Sequence, residues 1–305
     1  MKNLSMRHLR YFDALARHGH FGRAAEACAI SQPALSVQIK ELEALVGAPL
    51  VERGSRRIRL TGLGETFFAR AQQILRAVDE LGEVARAARH PFLEQLRIGV
   101  IPTVAPYLLP SVITALQTGF AGIDLRPREA VTQKLLDALS DMRLDAAIVA
   151  LPVSEPGLTE LALFDEEFVL VRPPEDAGQP VPDARGLRAM RLLLLEEGHC
   201  FRDQALSFCS GTPGTARDMM EGSSLSTLVQ MVAAGIGVTL LPEMAVPIET
   251  GSAPVTLQRL PVPRPGRTIG LVWRKSNPLT DQFERIGGLI RTAAYQARTE
   301  RPTLP

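Results

Sequence analysis

Two glycines, Gly19 and Gly47, bound the strongest structural constraint in this 305-residue chain. Before Gly19, Leu9, Phe12, Leu15 and Ala16 recur at helical spacing, so residues 6–18 read as an amphipathic helix. Residues 21–28 read as a second, shorter helix whose Ala24, Ala25 and Ala27 permit close packing. Ser31 is a good N-cap and Pro33 suits a helix start. A third helix then runs to about Val46, with Leu35, Ile39, Leu42 and Leu45 as its buried stripe. Three short helices with a tight turn between the last two form a helix-turn-helix. Residues 50–53 and 57–60 read as two short strands around a basic turn, a wing.

In such a module the start of the second motif helix enters the major groove of DNA. Gln32, Pro33, Ala34, Ser36, Val37 and Gln38 would lie near bases and Lys40 near phosphate. A glutamine bonds adenine bidentately, and alanine or valine touches a thymine methyl. Arg53 and Arg57 on the wing suit phosphate or minor-groove contact. Charge agrees. Residues 1–60 hold ten basic and five acidic side chains in a chain whose total is +1, so the remainder is net acidic. A basic head on a mildly acidic body suits a polyanion met by the head alone.

A capped helix is expected from Leu63 to about Arg89, started by Thr61 and ended by His90 and Pro91. Phe67, Ile74, Leu75, Val78, Leu81 and Val84 line one face of it. Such a stripe needs a partner, either a second copy of the helix or the body of the chain. From residue 95 onward strands and helices alternate, which predicts an α/β fold with mostly parallel sheets.

Residues 4–65 resemble the DNA-binding head of LysR-type transcriptional regulators. The resemblance rests on the ordered series Leu9-Arg10-Tyr11-Phe12, Phe21-Gly22-Arg23-Ala24-Ala25, Ser31-Gln32-Pro33-Ala34-Leu35-Ser36, Leu50-Val51-Glu52-Arg53 and Leu60-Thr61-Gly62-Leu63-Gly64. The run from Ser223 to Pro242 is similar to the effector domain of the same regulators. The fold implied is an N-terminal winged helix-turn-helix (1–62), a linker and dimerisation helix (63–90), and an α/β two-lobed domain like a periplasmic binding protein (95–305). Lobe I would hold 95–164 and 268–305, and lobe II 165–267.

Cys200 and Cys209 carry the chemistry. If the stretch between them is helical, their Cα atoms lie roughly 13 Å apart, whereas a disulfide needs about 5.5–6 Å. Bridging them would require the backbone to rearrange. The alternative is two unrelated cysteines, one filling a core. A narrower resemblance, to peroxide-sensing members of the family, covers 101–110, 198–209 and 267–272. It implies that Cys200 reacts with hydrogen peroxide, that Cys209 resolves the sulfenic acid into a disulfide, and that Thr103 holds the peroxide. A lowered thiol pKa would be needed, with the helix start, Arg202 and Arg267 as sources. Asp203 is a candidate for proton handling or for capping the helix, and His199 for a supporting role beside the sulfur. Cys28, on the small-residue face of the second helix, reads as an apolar filler. The resemblance further implies a dimer or tetramer of the chain, double-stranded DNA and RNA polymerase as partners, and reduction by glutaredoxin or thioredoxin.

Two rivals stand beside this reading. In one, a small acid binds between the lobes through Thr103, Ser224 and Thr227. In the other the chain is a thiol peroxidase, which leaves the head unexplained and departs from Cys-x-x-Cys spacing. No cofactor or metal is expected: of five histidines only His18 and His20 are close together, near a turn. Three cysteines make no extracellular disulfide framework, and no apolar run approaches a membrane span, so a cytoplasmic protein is expected.

Overall fold

The computed structural model describes residues 4–52, 58–89, 94–209 and 220–299. They fall into two compact units, residues 1–86 and 87–305.

In the first unit, α1 (Met6–His18), α2 (Phe21–Ala27) and α3 (Gln32–Val46) are followed by the paired strands β1 (Val51–Glu52) and β2 (Arg59–Leu60), then by α4 (Gly62–Arg89). Local chemistry sets each boundary. Ser5 and Ser31 cap α1 and α3, and Gly19 and Gly47 end them in the left-handed conformation, at φ 59° and 81°. His20 caps α2 by accepting from the Gly22 N–H, a cap the sequence reading omitted. Phe12, Leu15, Ala24, Leu35, Ile39 and Leu42 form the core. Buried Glu43 accepts from the Leu50 and Val51 N–H groups and so fixes the turn into the wing. Thr61 accepts from the Gly64 N–H at 2.9 Å and starts α4, as expected. A Cβ at Gly64 would lie 2.0 Å from the Leu50 carbonyl oxygen, so only glycine allows this approach. The expected end of the helix at His90 and Pro91 lies outside the described residues, as do Arg53 and Arg57.

The second unit runs β3 (Gln95–Val100), α5 (Ala105–Gly119), β4 (Asp124–Glu129), α6 (Thr132–Ser140), β5 (Ala146–Leu151), β6 (Leu158–Arg172), α7 (Ala184–Ala189), β7 (Leu193–Leu195), α8 (Cys200–Cys209), β8 (Met220–Gly222), α9 (Leu225–Ala233), β9 (Thr239–Pro242), α10 (Val246–Glu249), β10 (Thr256–Arg259), β11 (Gly266–Arg274) and α11 (Thr280–Thr299). A seven-stranded sheet has the order β10-β6-β11-β5-β3-β4, with β9 also on β6, and β7 and β8 form a small parallel pair.

This corrects the expectation of mostly parallel sheets. β3 pairs in parallel with β4 and β5, but β11 is antiparallel to β5 and β6, and β9 and β10 are antiparallel to β6. The cause is the fifteen-residue strand β6. Its first part, through Glu167, lies against β11, while from Phe168 onward it lies against β9 and β10. The sequence reading expects a strand here only over 167–171, where Phe168–Val171 form an apolar run, whereas the strand begins at Leu158 and alternates in burial up to Glu167. The C-terminal helix α11 was also missed. It packs its Phe283 on Trp273 of β11, with ring centroids 5.6 Å apart.

Candidate functional site

Three connections bring the site together. β3 ends at Val100 and the chain turns through Thr103 into α5. Arg267, the second residue of β11, lies directly opposite Glu166 of β6. After β7, His199 leads into α8, whose first residue is Cys200.

Arg267 organises the first two of these. Its side chain is wholly buried, and that of Glu166 nearly so. Nε donates to Glu166 Oε2 at 2.9 Å, Nη1 to Thr103 Oγ1 at 2.7 Å, and Nη2 to the Thr103 main-chain oxygen at 3.0 Å. The other carboxylate oxygen of Glu166 accepts from the Met244 N–H at 2.8 Å. A buried charge pair is tolerable when both partners have hydrogen bonds to spare, and this one does. A Cβ at Gly266 would lie 2.6 Å from the Glu166 carbonyl oxygen, so glycine lets β11 close onto β6 beside the pair.

Cys200 is a free, half-buried thiol. With Thr103, Val131, Thr132, His199 and Phe201 it lines a narrow cavity too tight for a water-sized molecule. It also lines a broad cleft of about 1120 Å³ that carries Asp203, Arg267, Glu166 and Gln204. Phe201 is buried, and Leu206 and Phe208 are half-buried against the body core. Burial pushes the His199 pKa down, opposed by the charges of Glu196 and Glu129, so the imidazole is held toward its neutral form.

The predicted residues fare differently. Thr103, His199 and Cys200 share the narrow cavity, while Arg267 and Asp203 meet Cys200 along the broad cleft. Cys209 closes α8, so the two cysteines sit at the ends of one ten-residue helix. Arg202 does not serve the sulfur. It donates to the Leu195 carbonyl oxygen and to Glu221 at 2.6 Å, and that carboxylate takes up its charge. Asp203 is exposed in the first turn of α8, where a carboxylate suits the positive helix end. Cys28 is half-buried just after α2 rather than fully buried, and burial together with the charge of Asp13 raises its pKa, which holds it as a thiol.

Thr132 was missed. It begins α6, lines both cavities, and its buried hydroxyl has no hydrogen-bond partner. Glu166 was missed too. The acidic run Asp165-Glu166-Glu167 inside a strand is the signal that could have found it, because a strand carboxylate needs a partner or a cleft.

The broad cleft is a poor fit for a small acid. Arg259 pairs with Glu167 and Glu243, Arg264 with Glu167, and Arg298 with Glu243. Glu155, Asp165 and Asp203 add further negative charge. Ser224 and Thr227 bond each other at the start of α9 and do not line the cleft.

On the head, Gln32, Pro33, Ala34, Val37 and Lys40 are exposed along α3, and Ser36 and Gln38 are half-buried. Gln38 donates to Glu41 at 2.6 Å. On α4, Phe67 packs edge-on against Phe12, whereas Ile74, Leu81 and Val84 are exposed.

Comparison with known proteins gives a consistent picture. Residues 6–65 match the bacterial regulatory helix-turn-helix family of LysR type, and residues 90–294 match the LysR substrate binding domain. A probable hydrogen peroxide-inducible genes activator of Streptomyces viridosporus is 45% identical over 95% of this chain and 94% of its own. The DNA-binding transcriptional dual regulator OxyR of Escherichia coli is 41% identical over 94% and 95%. Among solved structures, a full-length OxyR variant from Pseudomonas aeruginosa is 37% identical, with a TM-score of 0.72 and 99% of both chains covered. A hydrogen peroxide-bound OxyR variant of Corynebacterium glutamicum is 33% identical, with a TM-score of 0.63, covering 96% of this chain and 93% of that one.

Proposed function

The chain belongs to the LysR family of bacterial transcription regulators and is a peroxide-responsive DNA-binding member of it, and we propose that Cys200 is its sensing thiol and Cys209 its resolving thiol. It is a regulator and not an enzyme. The observation that carries the assignment is the position of Cys200. It is a free thiol at the start of α8, it lines a narrow crevice with Thr103 and His199 as well as the broad cleft, and Cys209 lies at the far end of the same helix.

The chemistry follows from these surroundings. The reacting form of Cys200 is its thiolate, since a thiol does not attack peroxide. Thr103 accepts from Arg267, which leaves its own hydroxyl proton for a peroxide oxygen. Arg267 thus acts through Thr103, because Glu166 offsets its charge. The thiolate sulfur takes one peroxide oxygen as the O–O bond breaks. The other oxygen leaves as hydroxide and is protonated to water. The proton is the one the Cys200 thiol gave up; Asp203, exposed at the cleft, is a candidate for relaying it, and His199 has a supporting place beside the cavity. The thiol of Cys209 then attacks the sulfenic sulfur, a second water leaves, and the disulfide remains.

With Cα atoms roughly 13 Å apart along α8, that last step requires the helix to unwind. The unwinding releases Phe201, Leu206 and Phe208 from the core. In this account it moves the lobes, 95–164 with 268–305 and 165–267, and so changes how bodies pair. The exposed Ile74, Leu81 and Val84 stripe on α4 supports pairing with a second copy, giving a dimer and, through the bodies, a tetramer. The heads would then meet paired half-sites on DNA and pass the change to RNA polymerase. Glutaredoxin or thioredoxin would reset the switch in the cytoplasm, where the DNA lies. Footprints of the reduced and peroxide-treated chain on one promoter test the coupling. Different protected spans support it, and identical spans after complete disulfide formation would refute it.

A further inference from the structure

Phe201 follows the sensing cysteine directly and is buried. Its ring centroid lies 5.5 Å from Arg267 Cζ, and it meets Phe168 edge-on at 4.9 Å. Arg267 spends its edge on Glu166 and Thr103. The ring therefore covers a face of a guanidinium whose edge is already bonded and whose side chain is wholly buried. A cation held over an aromatic face away from water is the strong form of that contact. Through Phe201, α8 is tied to the same guanidinium that holds Thr103.

We propose that Phe201 is a positioning residue, which holds α8 in its reduced seat by its ring on Arg267 and sets the rate of disulfide closure but not that of peroxide reduction. The inference rests on the roles proposed above for Cys200 and Cys209. The first step transfers one oxygen to the Cys200 sulfur, which the broad cleft reaches, and releases water, and it leaves α8 wound. The second forms the S–S bond between Cys209 and Cys200, breaks the S–O bond and releases the second water. It needs the two Cα atoms to approach from roughly 13 Å to about 6 Å. Unwinding the first turn of α8 takes the Phe201 ring off Arg267 and opens a buried cation to water. The resistance falls on the second step alone.

The test measures both steps separately in the full chain. Step one is read in a Cys209→Ser background by trapping the sulfenic acid with dimedone and weighing the adduct. Step two is read from the appearance of the linked Cys200–Cys209 peptide. Phe201→Leu removes the ring. Replacing Phe201 with 3,4,5-trifluorophenylalanine nearly keeps its shape and drains its negative face, which weakens its hold on the cation without emptying its place in the core. The expected result is a step two roughly tenfold faster with Phe201→Leu and about threefold faster with the fluorinated ring, with step one in the fluorinated chain, whose ring keeps the cavity wall, within about twofold of the parent. Should Phe201→Leu not fold, the fluorinated chain decides the matter by itself. An unchanged second step in the fluorinated chain, or a first step that moves in parallel, overturns the inference and leaves the proposed thiol roles standing. A parent chain that forms no sulfenic acid at Cys200 overturns both.

Discussion

Arg267 grips Thr103 twice, from Nη1 to the side-chain oxygen at 2.7 Å and from Nη2 to the main-chain oxygen at 3.0 Å. These bonds anchor the Thr103 main chain and use its hydroxyl oxygen as an acceptor, so the hydroxyl proton stays available beside the Cys200 cavity. Thr103→Val keeps the shape and removes the donor. It should slow sulfenic acid formation at Cys200 by about 10²-fold, the scale of losing one preorganised donor. Thr103→Ser should stay within about threefold of the parent on the same ground. Stopped-flow oxidation with a thiol-specific trap measures both, and a valine variant as fast as the parent would remove Thr103 from the mechanism.

The pair of Arg267 and Glu166 predicts a stability pattern. Glu166→Gln leaves a wholly buried guanidinium without its counter-charge and should cost about 3–5 kcal/mol. The double variant Glu166→Leu with Arg267→Met should recover much of that loss while remaining insensitive to peroxide. Denaturant unfolding of the reduced chains checks the first claim, and the trapping assay the second. If the double variant is no more stable than the single one, desolvation of the pair is not what governs this part of the fold.

His199 gives a pH dependence with a definite sign. Its folded pKa lies below its ordinary value because burial disfavours the charged ring. The contribution is fully present above about pH 6.5, the unfolded value, and is lost as the pH falls through the folded value. Thermal unfolding from pH 7.5 to 5 should therefore decline less steeply in His199→Asn than in the parent. Equal slopes would show that other groups account for the acid sensitivity.

On the head, Gln32 and Lys40 should separate by type of effect. Gln32→Ala should cost about 1–3 kcal/mol at one base position and relax preference there. Lys40→Ala should weaken binding to all sequences and reduce the salt slope by about one. Titration against a specific and a scrambled duplex at several salt concentrations reads both.

Much of this was legible in the sequence, for physical reasons that differ along the chain. In the head, capping residues and glycines act over three or four positions, so Ser31, Gly19, Gly47 and Thr61 mark boundaries that the fold keeps. In the body, β6 changes partners halfway along, and a pattern read in one dimension does not reveal which strand lies opposite. Cys200 and Thr103 were legible because the resemblance covers them. Glu166 and Thr132 were not, since each owes its place to a neighbour more than thirty residues away in the chain. Arg202 misled because nearness in sequence put it beside Cys200, while the helix turns its guanidinium to Glu221.

The central claim is that one peroxide joins Cys200 to Cys209 through a helix that must unwind. Non-reducing peptide mapping of the reduced full chain after about one equivalent of hydrogen peroxide tests it most directly, with Cys200→Ser alongside. The account predicts a Cys200–Cys209 linked peptide that forms quickly in the parent and never in the variant. Both thiols remaining free at peroxide levels that spare the methionines would contradict it.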